Sequence, residues 1–125
     1  MIVAVGVDLV SIPRMREALA RWRNRLCRRL YTPREVAEVE DRPLPEVHFA
    51  SRFAAKEAIL KALGTGWGEG IAWREVEVIG PRGRPPEVQL RGRARTVAEE
   101  RGIRRLHLSL SHDGDYALAF VIATD

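Results

Sequence analysis

Short segments in which apolar residues alternate or cluster predict five β-strands. At the N-terminus, IVAVGVDLV is rich in β-branched residues and has no polar residue before Asp8, so it predicts a strand covered on both faces. WREVEVIG and PEVQLRG alternate apolar and polar residues on either side of a proline- and glycine-rich turn. The C-terminal segment RRLHLSLSHDGDYALAFVIA predicts a hairpin that turns at Asp-Gly.

Capping residues predict two helices after the first strand. Ser11 can cap a helix that has Pro13 near its first turn and runs to about Arg23. TPREVAEVE combines a threonine cap with proline at the first helical position, which predicts a short second helix.

A long helix and a shorter one complete the predicted elements. The long helix begins near Glu46 and stops at Gly64, and the glycine-rich loop GTGWGEG follows it. RARTVAEERG predicts an amphipathic helix that ends at Gly102. Helices and antiparallel strands mix without a βαβ rhythm, so the predicted fold class is α+β, with a mainly antiparallel sheet packed against a long central helix.

The long helix carries three charges within a stretch that is apolar on most sides. This stretch, FAAKEAILKALG, holds Lys56, Glu57 and Lys61. Glu57 and Lys61 lie about 40° apart on one face, a spacing typical of an i,i+4 salt bridge worth about 0.2–0.5 kcal/mol. Lys56 points into the apolar stripe, so either its stem reaches solvent or its ammonium meets a buried anion.

Asp8 offers a second place for chemistry, because it follows an apolar strand just before a helix begins. A carboxylate at such a strand end can form a cap or a turn, or it can bind a hard cation. Mg²⁺ typically takes one or two carboxylates, and Glu57 supplies a second one if the strand end meets the long helix. The sequence has no histidine cluster or cysteine pair that favours zinc.

Composition is typical of a globular protein. The 125 residues suit one domain, 1–125, and 46% of them are hydrophobic while 30% are charged. The apolar runs are too short to cross a bilayer and the N-terminus resembles a strand rather than a signal peptide, so we expect a cytoplasmic protein that does not enter membranes. The single Cys27 excludes an intrachain disulfide.

The charge balance suggests an anionic partner. The net charge is +4, and the segment RMREALARWRNRLCRRLYTPR holds eight arginines against one acidic residue, Glu17. Such a segment fits nucleic acid, a membrane surface, a phosphorylated small molecule or an acidic protein, or it is simply a solvated helix face.

The last predicted strand is apolar on both faces, which a small chain has trouble covering alone. Burial of one face between copies of the chain solves this problem, and packing of the helix in RARTVAEERG is the alternative. Oligomerisation is the favoured interpretation. The two alternating sets are Tyr116, Leu118, Phe120 and Ile122, and Ala117, Ala119, Val121 and Ala123.

Three motifs together resemble the holo-acyl-carrier-protein synthases, the small bacterial type of 4′-phosphopantetheinyl transferase. GVDLVSIPR resembles the N-terminal motif of that family, RFAAKEAILKALGTG its central signature, and LSLSHDGDYALAFV its C-terminal Ser-x-Ser-His hairpin. Each motif is short, but their order and spacing make the combination specific. One departure is Ser11, where many relatives carry an acidic residue.

The resemblance implies an enzyme with the 4′-phosphopantetheinyl transferase fold. A serine hydroxyl of apo acyl carrier protein attacks the β-phosphate of coenzyme A, the 4′-phosphopantetheine arm moves to that serine, and 3′,5′-ADP leaves, in fatty acid biosynthesis. The implied cofactor is Mg²⁺, held by Asp8 and Glu57. The implied assembly is a homotrimer with active sites between neighbouring subunits, and neither nucleic acid nor a membrane is a partner.

The resemblance also assigns site residues. Asp8, Glu57 and Lys61 are the implied catalytic group, and Lys56 either braces the site or meets a phosphate. The general base stays open between Glu57, Asp8 and a metal-bound water. The implied coenzyme A contacts are Arg52, Lys56, Lys61, Gly64, Thr65, Gly66 and His112. The implied contacts with the acidic carrier protein are Arg14, Arg21, Arg25 and Arg28.

Two other classes of protein are weighed against this interpretation. A basic RNA-binding module fits the pI near 10, but aromatic residues make up only 6% of the chain and that class leaves Asp8 and Glu57 unexplained. A magnesium-dependent phosphohydrolase would use a similar site and would release phosphate without transfer to a carrier protein.

Overall fold

The computed structural model describes residues 1–66, 70–81 and 83–125, and it confirms the predicted α+β class. Residues 67–69 of the predicted glycine-rich loop and residue 82 of the predicted turn lie outside the described residues. The elements are β1 (Ile2–Ser11), α1 (Ile12–Leu30), α2 (Pro33–Glu40), α3 (Pro45–Leu63), a 3-10 turn (Trp73–Glu75), β2 (Val76–Ile79), β3 (Glu87–Leu90), α4 (Gly92–Glu100), β4 (Arg105–Asp113) and β5 (Tyr116–Thr124).

The main sheet is antiparallel with the order β1-β5-β4, and β2 and β3 form a separate antiparallel pair. On β5, small residues alternate with large ones, and the small set is buried: Ala117, Ala119, Val121 and Ala123. Alternate residues of a strand point to the same face, and small side chains allow a helix to approach closely. The long helix α3 therefore packs across this face of the sheet, as predicted.

α3 is buried on nearly all sides because alanines line much of it. Ala54, Ala55 and Ala58 are fully buried. The helix ends where predicted, since Gly64 adopts a left-handed conformation with φ 76° that glycine tolerates without strain.

The first two helices begin at the predicted caps. The side chain of Ser11 accepts a hydrogen bond from the backbone N–H of Arg14 at 3.3 Å. α1 extends to Leu30, beyond the predicted end at about Arg23, but its backbone leaves helical geometry at Trp22, with φ −133° and ψ 25°. The predicted end therefore coincides with a kink rather than with the end of the helix.

Within a single chain the first strand is covered on one face only, and not on both faces as predicted. One face of β1 packs on α3, while its alternate residues remain exposed, with Val5 at 55% and Leu9 at 58%. The matching face of β5 is exposed too, at Tyr116 and Phe120. The sheet thus carries an apolar outer face that no described element of the chain covers. None of the described helices has both the length and the apolar character that a membrane span requires.

Candidate active site

A cavity of about 670 Å³ between β1, α1 and α3 brings together the two predicted metal ligands. Asp8 and Glu57 both line this cavity, and Arg14 lines it from the first turn of α1. Phe53 and Tyr116 add aromatic surface to its wall. Two acidic residues that are distant in the sequence therefore face one space, which we call the acidic cavity.

Asp8 lies inside β1, opposite Ala119 of β5, and not at the end of its strand as predicted. The ammonium of Lys61 holds it: Nζ lies 3.1 Å from Oδ1 of Asp8. The same Nζ donates to the carbonyl oxygen of Val7 at 3.0 Å. Lys61 therefore bridges α3 to β1, an arrangement that the i,i+4 spacing with Glu57 did not predict.

The donors in the acidic cavity fit a hard divalent cation. Asp8 and Glu57 offer carboxylate oxygens, and Mg²⁺ is typically bound by one or two carboxylates together with phosphates and water. Within residues 1–66, 70–81 and 83–125, no group of three or more His, Cys, Asp or Glu is placed to hold a metal ion. The two carboxylates are therefore donors of the type that Mg²⁺ prefers.

Lys56 is completely buried and forms an ion pair with Glu35 of α2, with Nζ 2.8 Å from Oε1. Nζ also donates to the carbonyl oxygens of Trp73, at 3.1 Å, and Val76, at 2.5 Å, which uses all three N–H bonds of the ammonium. Burial lowers the pKa of Lys56, and the charge of Glu35 opposes that shift. Of the two predicted environments, the structure shows the buried anion, so Lys56 braces α3 and has no N–H left for a phosphate.

Hydrogen bonds extend this ion pair into a buried network. The backbone N–H of Thr32 donates to Glu35 Oε1 at 2.8 Å, and the backbone N–H of Val78 donates to Glu35 Oε2 at 2.8 Å. The hydroxyl of Thr32 donates to Glu77 at 2.6 Å. Burial raises the pKa of Glu77, but the hydrogen bonds from Thr32 and Arg91 outweigh it, so this pKa is lowered. The network fixes α2, α3 and β2 relative to one another.

A second cavity, of about 210 Å³, contains the predicted phosphate contacts Arg52 and His112. Arg52 is 4% exposed, and its Nη2 lies 3.2 Å from Glu38 Oε1. Its buried Nε has no hydrogen-bond partner among the described residues. Burial and the guanidinium of Arg42 lower the pKa of Arg52. Basic side chains dominate the polar lining of this space, which we call the basic cavity: Arg42, Arg52, Arg84, His48 and His112. Such a lining is suited to an anion.

The acidic cavity and the basic cavity lie on different sides of α3. Arg52 and Glu57 project from the helix about 140° apart, and none of the described residues lines both cavities. His112 lies on β4, opposite Ala117, close to the hairpin loop formed by Gly114 and Asp115. A single chain therefore keeps Arg52 and His112 apart from the two acids, whereas Lys61 lies beside Asp8.

The predicted loop contacts Gly64, Thr65 and Gly66 follow α3. The backbone N–H of Gly64 donates to the carbonyl oxygen of Lys61 at 3.0 Å, and that of Thr65 donates to the carbonyl oxygen of Leu60 at 3.3 Å. These two N–H groups close the last turn of the helix and are not directed at a ligand. The buried hydroxyl of Thr65 has no hydrogen-bond partner in the described part of the chain, so residues 64–66 offer a ligand this polar group.

α1 presents a basic surface formed by Arg14, Arg21, Arg25 and Arg28, all of which are exposed. The guanidinium of Arg25 lies 5.5 Å from the ring centroid of Trp22, a cation–π contact. Arg14 lines both the acidic cavity and a shallow cavity shared with Arg21 and Trp22. The basic surface of α1 therefore borders the acidic cavity.

Sequence reasoning missed three residues that shape these sites. Glu35, the partner of Lys56, carries a local signal, because it occupies the capping-box position of α2. Glu38, the partner of Arg52, carries none. His48, which lines the basic cavity, belongs to none of the patterns that point to chemistry. These roles depend on contacts between elements that are distant in the sequence.

Comparison with known proteins connects this geometry to one family. A profile of the 4′-phosphopantetheinyl transferase superfamily matches residues 4–121. The holo-[acyl-carrier-protein] synthase of Desulforudis audaxviator is 50% identical over 123 residues, which cover 98% of this chain and 93% of the relative.

Solved structures agree with the sequence match. The crystal structure of holo-[acyl-carrier-protein] synthase from Neisseria meningitidis has a TM-score of 0.88 and 36% identity, and the match covers 100% of both chains. The synthase from Helicobacter pylori in complex with coenzyme A has a TM-score of 0.82 and 28% identity, covering 96% of this chain and 99% of that one.

Proposed function

The chain belongs to the holo-[acyl-carrier-protein] synthases of the 4′-phosphopantetheinyl transferase superfamily, and we propose that it transfers the 4′-phosphopantetheine arm of coenzyme A to a serine of apo acyl carrier protein. The bond formed joins the serine Oγ to the β-phosphorus of coenzyme A. The bond broken joins that phosphorus to the bridging oxygen of the diphosphate. The products are the carrier with its arm, 3′,5′-ADP and one proton.

The observation that carries this proposal is the acidic cavity. Phosphoryl transfer depends more on charge neutralisation and positioning than on covalent help from the protein. Asp8 and Glu57 would hold Mg²⁺, which neutralises diphosphate charge and makes 3′,5′-ADP a better leaving group when it is bound. Either carboxylate also has the chemistry to accept the serine proton.

Basic side chains orient the substrate. Lys61 borders Asp8 with a flexible, half-exposed stem, so its ammonium can meet a diphosphate oxygen as a point charge. Arg52 and His112 provide an anion site in the basic cavity, and the unpartnered Nε of Arg52 supports that role. Lys56 holds α3 in place through Glu35, and the Thr65 hydroxyl offers one more contact at the loop.

We further propose a homotrimer in which neighbouring subunits complete each active site. Two observations support it: the apolar outer face of β1 and β5 is exposed in the single chain, and the acidic and basic cavities are separate within it. Packing the outer face against another subunit would bury that apolar surface and give the acidic cavity of one chain a basic cavity from its neighbour.

The basic surface of α1 is the proposed contact with the carrier protein. Acyl carrier proteins are acidic, and complementary charge speeds encounter and orients the partner. Arg14 borders the acidic cavity, so a carrier docked on α1 brings its serine towards Asp8 and Glu57. This reaction serves fatty acid biosynthesis in the cytoplasm, and residues 1–125 act as one transferase domain.

Mass spectrometry of apo acyl carrier protein incubated with the chain, coenzyme A and Mg²⁺ tests the proposal. The expected result is a gain equal to one phosphopantetheine, lost when a chelator replaces Mg²⁺. Glu57→Gln should abolish the gain because it removes one carboxylate from the acidic cavity. Glu99→Gln is the matched control, since Glu99 pairs with Arg95 on the surface of α4. Release of phosphate without any change in carrier mass would contradict the proposal.

A further inference from the structure

Asp8, one of the two proposed metal ligands, forms an ion pair with Lys61. Lys61 Nζ lies 3.1 Å from Asp8 Oδ1 and 3.0 Å from the carbonyl oxygen of Val7. The side chain of Asp8 is 17% exposed, whereas that of Lys61 is 55% exposed. A mostly buried carboxylate is therefore paired with a lysine that has solvent on one side and room to move.

The position of Glu57 explains why a cation beside Asp8 matters. Asp8 and Glu57 line the same cavity, and two carboxylates that face one space repel each other unless a cation lies near them. We propose that Lys61 is an internal counter-ion that competes with the divalent ion for Asp8. The diphosphate of the substrate releases Asp8 by drawing Lys61 away, a step that rests on the proposed function for the identity of the anion.

Competition follows from the positions of the atoms. An ammonium bonded to Oδ1 occupies part of the lone-pair space that a metal ion needs, and its charge repels a divalent cation at short distance. A diphosphate oxygen offers Lys61 another anion. Val7 provides a carbonyl oxygen at which Nζ can keep one hydrogen bond while it turns. Lys61 is thus a positioning residue as well as a substrate contact.

The arrangement couples binding of the divalent ion to binding of the diphosphate. A ligand that removes Lys61 from Asp8 strengthens metal binding, and by reciprocity the metal strengthens binding of that ligand by the same factor. An exposed ion pair changes an equilibrium constant by about 1.4- to 5-fold. The free protein should therefore bind a divalent ion more weakly, by about this factor, than it would without Lys61.

Titration with Mn²⁺, with free ion followed by electron paramagnetic resonance and without coenzyme A or carrier, tests the inference. Lys61→Met should lower the dissociation constant for Mn²⁺ by about 1.4- to 5-fold. Arg14→Met is the matched control, because Arg14 lines the same cavity without a hydrogen bond from its side chain to Asp8 among the described contacts. In an Asp8→Asn background, Lys61→Met should have a much smaller effect. Circular dichroism checks that each variant is folded.

Each outcome decides the inference. Tighter Mn²⁺ binding in Lys61→Met alone, dependent on Asp8, supports it. An equal gain in Mn²⁺ affinity in Arg14→Met would show a general effect of charge and would overturn the inference. Unchanged or weaker Mn²⁺ binding in both Lys61→Met and the more polar Lys61→Gln would also overturn it. Carrier modification by the wild-type chain is measured separately, so failure here leaves the proposed transferase function standing, and failure of transfer leaves the Mn²⁺ result readable.

Discussion

Gly6 of β1 packs directly against the backbone of Ala58 in α3. A Cβ atom added at Gly6 would overlap the carbonyl oxygen of Ala58 and would lie 2.9 Å from its carbonyl carbon. Because Asp8 follows Gly6 on the same face of β1 and Glu57 precedes Ala58 on α3, this close approach sets the position of both acids. Glycine at this position therefore serves the geometry of the acidic cavity.

Gly6→Ala should separate β1 from α3, because the clash is with backbone that cannot rotate away. We expect a loss of about 1–3 kcal/mol in the free energy of unfolding and a larger loss of Mg²⁺-dependent turnover than stability alone explains. Gly102→Ala is the control: its φ of 73° disfavours alanine, but no atom lies within 4 Å of the added Cβ. Urea unfolding and turnover of both variants check this prediction, and equal turnover would contradict it.

Arg14→Glu should weaken the use of carrier protein more than the binding of coenzyme A. The substitution reverses a charge where the basic surface of α1 meets the acidic cavity, so it lowers the rate of encounter with an acidic partner. Steady-state kinetics with each substrate varied separately measure the effect. Arg104→Glu is the control, because Arg104 lines a different cavity together with Ile103 and Leu106. Equal losses for both substrates would place Arg14 in the nucleotide site instead.

Lys56→Met should destabilise the fold by about 3–5 kcal/mol, because it leaves the buried carboxylate of Glu35 unpaired. Glu35→Met should cost a similar amount for the converse reason. The double variant should lose clearly less than the sum of the two, since neither charge is then left alone. Urea unfolding of the four proteins gives the interaction energy. Additive losses would show that the 2.8 Å pair contributes little.

Tyr31 makes the fold sensitive to high pH. Its hydroxyl donates to the carbonyl oxygen of Phe49 at 2.7 Å, and burial raises its pKa well above 10.0. A raised pKa in the folded state contributes stability that is complete below pH 10 and is lost as pH rises through the folded value. Tyr31→Phe should cost about 1–3 kcal/mol near neutral pH. The difference from wild type, measured by urea unfolding, should shrink above pH 10, and a constant difference would contradict this.

Phe120→Glu should dissociate the proposed homotrimer and abolish transfer. Phe120 is 41% exposed on the outer face of β5, opposite Val7 of β1, so a charge there opposes burial against another subunit. Light scattering gives the mass, and the carrier assay gives the activity. Leu44→Glu places the same charge at another exposed apolar residue, which is 64% exposed at the N-cap of α3 and not on a strand, and should change neither. A monomeric wild-type chain with full activity would contradict the trimer.

Local signals in the sequence predicted the type and order of the elements well. Ser11 and Thr32 cap the helices where predicted, and Gly64 ends α3. These features depend on the sterics of a few neighbouring residues, so a short window of sequence contains them. Boundaries were less accurate: α1 continues past Arg23 because packing extends a helix beyond the kink at Trp22.

For the candidate site, too, the sequence indicated the residues but not all of their contacts. Family motifs singled out Asp8, Glu57 and Arg14, and the structure brings all three to one cavity. Sequence reasoning could not predict that Lys61 bonds to Asp8, because that bond requires β1 to lie beside α3. It also could not predict the separation of Arg52 from the acids, since that depends on which elements cover each side of the helix.

The sequence by itself determined which segments become helices and strands, and it singled out the candidate site residues, because periodicity, caps and motifs are local properties. The tertiary structure alone decided which charges meet. Lys56 pairs with Glu35, and Lys61 pairs with Asp8, because packing brings together residues that are distant in the sequence. The buried charge of Lys56 requires such a partner. The tertiary structure also left the outer face of the sheet exposed, because the chain has no further described element to cover both sides of β5.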